Sequence, residues 1–463
     1  MSLRIAFIPL STLLTVLLSL QNASAKEPVW RYMKVDNVEV IADASEKELI
    51  ELHDEIFYFN RIIEIFLPQT KKPEKEKIKA LIVPTRRSLE EILGEQSQTL
   101  SGIYGGLPSI QIIALRSSSA DAKKTLFWGL TTHKLKPLNK RRWFTNAFAM
   151  LFNSTEFERK KVKIGSTDEN MNNFMRFGQN LSDASLNDMF VNDSSWNDTL
   201  YDTNKMYFYK AHSYYLTHYC LLGNQALIKP FLDFSEELVP NEAQFIKHFG
   251  FDFKELEKRL WAYATKGRHK VLTIDSSTLP KPPVPIVRLA TDSEWKNALI
   301  RAKFIRNDKT EARALLYQMP KDDPTAVETR GVLAFVDRNK NEVLTLARKA
   351  QALGVENPIL QTNLVSDSLS KLIRERRNKD DPKLSTAEAE AFINQIKIGL
   401  KYYRRYIVSV RTLIQILDAS QATVPITVEP LLKAWEEKEA ARYPDLKSSL
   451  DKIRDRSDLT ILN

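Results

Sequence analysis

Residues Thr125–Phe152 read TLFWGLTTHKLKPLNKRRWFTNAFAMLF. Two apolar blocks flank a basic stretch, and the plainest reading is a pair of buried helices. The residues at a few positions give the pair its interest. A helical zinc site sets two histidines at i and i+4 on one face, with a glutamate after the first to activate water. The first block holds Trp128, Gly129 and Thr132, and Asn146 stands in the second block. Tryptophan offers no ligand atom, glycine no side chain, threonine one weak oxygen and asparagine no charge. His133 lies one residue past the second position, about 100° around the helix. Its partner four residues back is Gly129, so a shifted register restores nothing.

Laid on the pattern L-F-H-E-x-T-H-H-L, the segment LFWGLTTHKL puts Trp128 at the first histidine, Gly129 at the glutamate and Thr132 at the second histidine. A second helix of pattern W-F-x-E-G-x-A-E aligns with Trp143–Met150, with Asn146 at the third ligand. Asn153–Phe157 and Lys161–Gly165 are similar to the residues downstream of such a helix. On these residues the chain resembles a degenerate member of the peptidase MA-like (gluzincin) family of bacterial envelope proteins, over roughly 30–270. The resemblance implies a zincin-like α+β domain without its metal, so no catalytic residue, no metal ligand and no cofactor are assigned.

The N-terminus fits an export signal: Arg4, the apolar run Ile5–Leu20 and the small-residue site Ala23-Ser24-Ala25. Residues 1–25 are expected to be a cleaved signal peptide, and the address periplasmic or secreted. An uncleaved anchor is the alternative. No later stretch reaches the ~20 apolar residues of a membrane span. Hydrophobic residues make up 43% of the 463, and glycine contributes only 13, which points to a helix-rich chain of two or three domains. Cys220 is the sole cysteine, so no internal disulfide forms; it reads as a buried, inert thiol. Asn153, Asn192 and Asn197 head N-x-S/T sequons, which matter only in a eukaryotic secretory pathway.

The formal charge of +10 suits anionic envelope polymers or lipids, or solubility alone, rather than nucleic acid. Two basic runs bracket the degenerate helices: Lys134, Lys136, Lys140, Arg141 and Arg142, then Arg159, Lys160, Lys161 and Lys163. Both are candidate contacts for an acidic peptide or polymer; solvated loops are the commoner meaning of such runs.

Upstream, the pattern predicts a strand in Trp30–Ala42, a helix over Ser45–Phe66 and a strand at Ile78–Val83. A helix capped by Ser88 and Glu91, a loop at Gly102–Pro108 and a strand at Ile110–Leu115 come next. Downstream, Met206–Leu222 is an aromatic helix stopped by Gly223, and Phe251–Thr265 another stopped by Gly267. His212 and His218 are six apart and share no helix face as i,i+4 ligands would.

Leu279–Pro285 reads LPKPPVP, four prolines in seven residues, and marks the expected boundary between a domain over 26–270 and one over 291–463, with 271–290 as linker. Beyond it, Asp292–Ile305 and Thr310–Met319 form one helix pair, and Thr325–Val336 and Asn341–Leu353 a second. Pro324 and Pro358 are 34 residues apart, and Gly331 and Ala350 fall where a tetratricopeptide-like repeat uses small residues. A generic array of helical hairpins predicts nearly the same shape. After a charged break at Arg374–Pro382, a helix capped by Ser385 and Glu388 is expected to reach Leu417, and one near Leu431–Arg442 to come after Pro425 and Pro430.

No G-x-S-x-G elbow, P-loop or G-x-G-x-x-G is present. The reading is a non-catalytic exported binding or scaffold protein with a peptide or protein partner. The alternatives are a hydrolase using unrecognised residues and a structural envelope component held by charge to anionic polymer.

Overall fold

The computed structural model describes residues 28–71, 78–94, 102–107, 110–116, 120–135, 138, 140–166, 169–178, 184–191, 203–237, 239–266, 269–305, 308–377, 383–400, 407–420, 428–440 and 443–458. The expected signal peptide, Lys136, Gly267, Pro425 and the sequons at Asn192 and Asn197 lie outside the described residues.

The chain opens with β1 (Trp30–Val35) and β2 (Val38–Asp43), an antiparallel hairpin where one strand was expected. Asp36 makes the turn in the left-handed region, φ 51°, a conformation Asp tolerates better than most residues. Helix α1 (Glu46–Phe66) begins at a capping box: Ser45 accepts from the Glu48 backbone while the Glu48 carboxylate accepts from the Ser45 N–H. β3 (Ile78–Val83) is buried throughout. The cap of α2 (Arg86–Leu93) is Thr85, whose hydroxyl accepts from the Ser88 N–H at 3.0 Å, so Ser88 lies inside the first turn instead of heading the helix. Gly102–Leu107, expected as a loop, is strand β4, and β5 (Ile110–Arg116) returns antiparallel to it.

Among the described residues, these strands and β9 (Val287–Leu289) form one sheet in the order β4-β5-β3-β2-β1-β9, in which β2, β3 and β5 run parallel. A second sheet joins β6 (Glu156–Glu158), β7 (Lys161–Ile164) and β8 (Leu272–Asp275), antiparallel throughout. On one face of the large sheet α1 and α3 (Ala120–Leu135) bury Ile56, Phe59, Ile63, Leu126 and Phe127. The same core continues through α4 (Arg142–Asn153), α5 (Glu169–Gly178), α6 (Leu186–Val191) and α7 (Thr203–His218), then α8 (Ile228–Phe234), α9 (Glu242–Phe249) and α10 (Phe253–Thr265). Trp143 is fully buried at its centre, ringed by Phe144, Phe190, Phe231 and Phe234. Helix α7 ends in a π-helical turn, Tyr219–Gly223, so Gly223 closes it as expected.

The other face of the sheet is covered from beyond the prolines. Helix α11 (Asp292–Ile305) lays Ala298 and Ala302 on Ile41, Leu81, Ile112 and Ala114, alongside α2. Its opposite side supplies Ile300 and Phe304 to the next core, with Ala312 and Leu316 of α12 (Lys309–Gln318) and Ala326 and Leu333 of α13 (Pro324–Val336). The 271–290 stretch, expected as a linker, therefore carries strands of both sheets, and the first helix of the expected second domain belongs to both cores. The small side chains Ala298 and Ala302 sit at the centre of this contact, with Trp295, Leu299 and Ile305 around them.

Charge also crosses this junction. Lys79 of β3 bonds Glu39 of β2 at 2.5 Å, and Arg301 of α11 stands 3.5 Å from Glu328 of α13. Burial, together with the Arg301 guanidinium, holds the Lys79 ammonium below its ordinary pKa against the pull of Glu39. Asn297 donates to Thr329 at 2.7 Å, and Asn357 donates to Glu328 at 3.0 Å.

The rest is an array of helical hairpins: α13 with α14 (Lys340–Ala352), then α15 (Pro358–Arg377), α16 (Thr386–Leu400) and α17 (Ile407–Ser420). Pro324 and Pro358 each open a helix, where the missing N–H costs nothing. A Cβ on Gly331 would stand 2.6 Å from Leu360, so that glycine sets the α13–α15 spacing. The helix expected from Ser385 to Leu417 is two antiparallel helices, α16 and α17: Leu384 N–H donates to the Ala419 carbonyl, and a Cβ on Gly399 would meet Ser409. Ser385 and Glu388 cap the first of them as expected. α18 (Glu429–Glu439) and α19 (Pro444–Asp458) pack Leu432, Trp435, Leu450 and Ile453 into the last core. The architecture is thus an α+β region followed by helices. Among the described residues no helix is long and apolar enough to cross a membrane.

Candidate functional site

Helix α3 lies under the sheet with Gly129 turned toward it. A Cβ there would sit 2.8 Å from Ile113 Cδ1 of β5 and 3.1 Å from Tyr104 Cδ2 of β4. Trp128, half-buried, meets the Tyr104 ring edge-on with centroids 5.7 Å apart. Packing with Leu130 and Phe148 is what a core-filling tryptophan would show. Instead Leu130 is about 200° away around the helix, and Phe148 stacks on Phe152 and Phe231 in the aromatic core. The Thr132 hydroxyl is buried with no hydrogen-bond partner among the described residues, and Asn146 is half-buried on α4. His133 is buried, and its Nε2 stands 3.3 Å from the Asn37 side-chain amide.

The first basic run is largely built into the fold. Lys134 reaches back to Glu64 of α1 at 2.5 Å. Lys140 bonds the Ser235 hydroxyl at 3.0 Å and pairs with Glu236, its ammonium lying over the Phe144 ring. Arg141 and Arg142 begin α4 and are half-buried. The second run differs. Arg159, Lys160 and Lys161 are exposed on the β6–β7 hairpin, while Lys163 pairs with Glu158 at 2.5 Å. Among the described residues, the first run is thus mostly engaged within the fold and the second mostly exposed.

Two concavities were not read from the sequence. One, about 450 Å³, lies among α12, α13 and the start of α14, lined by Arg313, Leu316, Tyr317, Arg330 and Leu333. Tyr317 is 82% exposed, and the Arg313–Asp337 pair and the Arg330 guanidinium, which donates to the Leu316 carbonyl, set the polar groups. This volume falls in the range of ligand-sized pockets. The available signal was Tyr317 itself, an aromatic on the polar side of an amphipathic helix. The other, about 180 Å³, opens at the carboxyl ends of β3 and β5, with Leu52, Ile82 and Leu126 as floor and Glu48, Glu51 and the Glu55–Lys123 pair at its rim.

A histidine cluster sits where α7 enters its π-helical turn. His218 Nε2 donates to the Gly165 carbonyl at 2.9 Å, which leaves Nδ1 to accept from the Tyr263 hydroxyl at 2.9 Å. Burial, with His269 beside it, depresses His218 to about 4, and burial pushes Tyr263 up to about 12. His212, one and a half turns earlier, donates Nδ1 to the Phe208 carbonyl and is likewise depressed by burial to about 4. Neutral rings with fixed tautomers at these places act as core polar groups. Burial raises the Cys220 thiol pKa, so it stays protonated and inert. Among the described residues no three His, Cys, Asp or Glu side chains gather closely enough to hold a metal ion.

Comparison with protein-family models, with curated proteins and with solved structures finds no match to this chain.

Proposed function

We propose that the chain is a non-catalytic, exported binding or scaffold protein. In this reading a peptidase MA-like domain has lost its zinc chemistry and is fused to a tetratricopeptide-like array that holds a peptide or protein partner. The observation that carries it is the seat of Gly129. The position that would bear the general base faces the sheet, with Ile113 and Tyr104 occupying the space of its side chain. A carboxylate placed there would enter apolar packing instead of meeting a substrate water. The cleft beside Tyr317 supports the binding half: an exposed aromatic, two guanidinium groups and an apolar floor suit an extended peptide.

Incubation of the purified protein with unfolded casein, with metal content measured in parallel, tests the first half. No cleavage and no chelator effect are expected; stoichiometric metal lost together with peptidase activity overturns it. A peptide array probed with the intact chain and with Tyr317→Ala tests the second. Selective binding that falls about tenfold in the variant is expected, and binding indifferent to Tyr317 removes the cleft from the reading.

A further inference from the structure

The proline run shows a burial rhythm of three. Leu279 is buried and Pro282 and Pro285 are half-buried, whereas Pro280, Lys281, Pro283, Val284 and Ile286 are exposed. A repeat of three along a proline-rich segment is that of a polyproline II helix, with three residues per turn and no internal hydrogen bonds. One row, 279, 282 and 285, fastens the segment to the body. The row of Pro280, Pro283 and Ile286 and the row of Lys281 and Val284 face outward. Val284 is 90% exposed and Ile286 78% exposed.

Both ends are anchored. Upstream, Asp275 caps the short turn Ser276–Thr278, and Ser276 N–H donates to the Lys160 carbonyl at 2.9 Å. Downstream, β9 pairs with β1, Met33 opposite Val287 and Arg31 opposite Leu289. Much of the ordering entropy that a loose peptide loses on binding is thus already spent in folding.

We propose that residues 280–286 form a recognition ridge for a partner protein whose groove is lined by aromatic rings and rimmed by acidic side chains. Proline ridges in this conformation fit between flat aromatic faces. The acidic rim is inferred from the charges at the ridge. Lys281 lies within it, and Arg159, Lys160 and Lys161 stand exposed on the hairpin that holds its upstream end. The nearby acids are engaged: Asp275 accepts from the Ser277 N–H, Glu158 pairs with Lys163, and Glu294 pairs with Arg288. This ridge is separate from the Tyr317 cleft, so it names a partner's chemistry without depending on that cleft.

The test places a benzoyl-phenylalanine photo-crosslinker at position 284 of the full chain and irradiates it in envelope extract. A synthetic peptide spanning 277–288 serves as competitor. One adduct is expected, suppressed by the peptide and reduced at least tenfold by Pro280→Ala with Pro283→Ala. Those exposed positions should leave the thermal midpoint unchanged. Lys160→Glu with Lys161→Glu should weaken crosslinking severalfold, more so at low salt. Tyr317→Ala should not change it. No adduct, an adduct with a second copy of the chain, or one that survives the double proline variant overturns the proposal. So does attachment governed by salt alone and indifferent to the prolines, which would indicate an anionic polymer.

Discussion

Trp295, in the first turn of α11, stacks on Trp30 at the start of β1, with ring centroids 6.1 Å apart and planes within 8° of each other. The two belong to opposite sides of the proline run. Their contact, with Ala298 and Ala302 seated on the strands, makes the sheet and the first helix of the array one packing unit.

A protease nick in the proline run should therefore leave the halves together. The exposed segment is cleavable, yet the two pieces are expected to co-elute on size exclusion without denaturant. In the same way, a chain ending at Leu279 should bind a dye for exposed apolar surface and melt broadly, whereas one ending at Ile305 should melt as a cooperative unit. Two separately folded pieces after the nick would contradict the shared core.

Position 129 should tolerate little. Gly129→Leu overpacks against Ile113 and is expected to cost about 1–3 kcal/mol, read by urea denaturation. Gly129→Glu should cost more, since a carboxylate is buried as well. Restoring ligands with Trp128→His, Thr132→His and Asn146→Glu, while keeping Gly129, should fold and take up one zinc per chain. If it folds and ignores zinc, the alignment of α3 and α4 with a gluzincin is wrong. Trp128→Ala alone should cost roughly 1–2 kcal/mol, less than the ~3–5 of a fully buried aromatic.

The buried charges Lys79, Glu39, Arg301 and Glu328 act on one another, which predicts an asymmetry. Lys79→Met takes away the cation bonded to Glu39 while leaving the Arg301 guanidinium among its near positive charges, and should destabilise by about 1–3 kcal/mol. Adding Glu39→Leu removes the carboxylate that lost its lysine and should recover part of that loss, less what Arg301 loses with a neighbouring acid. A double variant no better than the single one would show that the pair is held by something other than charge.

Acid should weaken the fold through His212 and His218. Each titrates near 6.5 when unfolded and near 4 when folded. Between those values the unfolded chain takes up protons first, so stability is complete above about pH 6.5 and falls as pH drops toward 4. Two such groups contribute about 3 kcal/mol each at the lower end. His212→Phe should flatten the fall seen in denaturation midpoints measured from pH 7 to pH 4.

Long, strongly periodic segments were legible in the sequence. The helix through Phe66, the strand at Ile78–Val83 and the helix at Asp292–Ile305 stand where their apolar spacing puts them. The elements that escaped were set by partners distant in the chain. Gly102–Leu107 looks like a loop because its glycines break the pattern. Gly102 and Gly105 are needed because β4 runs close to Thr125 and Ile305, 3.0 and 3.1 Å from where their added Cβ atoms would stand. The β1–β2 turn lacks glycine, and its local signal, the turn-favouring pair Asp36-Asn37, is set between alternating valines that read as one strand. Of the candidate site residues, the sequence named the α3 positions but not the direction each faces, and only the sheet's placement decides that Gly129 points into packing. The first basic run reads as a patch because the carboxylates that neutralise it, Glu64 and Glu236, lie far along the chain.

The strand order has a bearing on how the chain is made. β1 is among the first elements to leave the ribosome, but its outer neighbour β9 is synthesised roughly 260 residues later, just ahead of the helix that roofs the sheet. Until residue 305 has emerged, one face of the sheet is covered by α2 without α11, and β1 has an unfilled edge. Closing so long a loop is slow, because its entropy must be lost before the pairing repays it. A chain on these terms can complete this sheet only when roughly two thirds of it has been made.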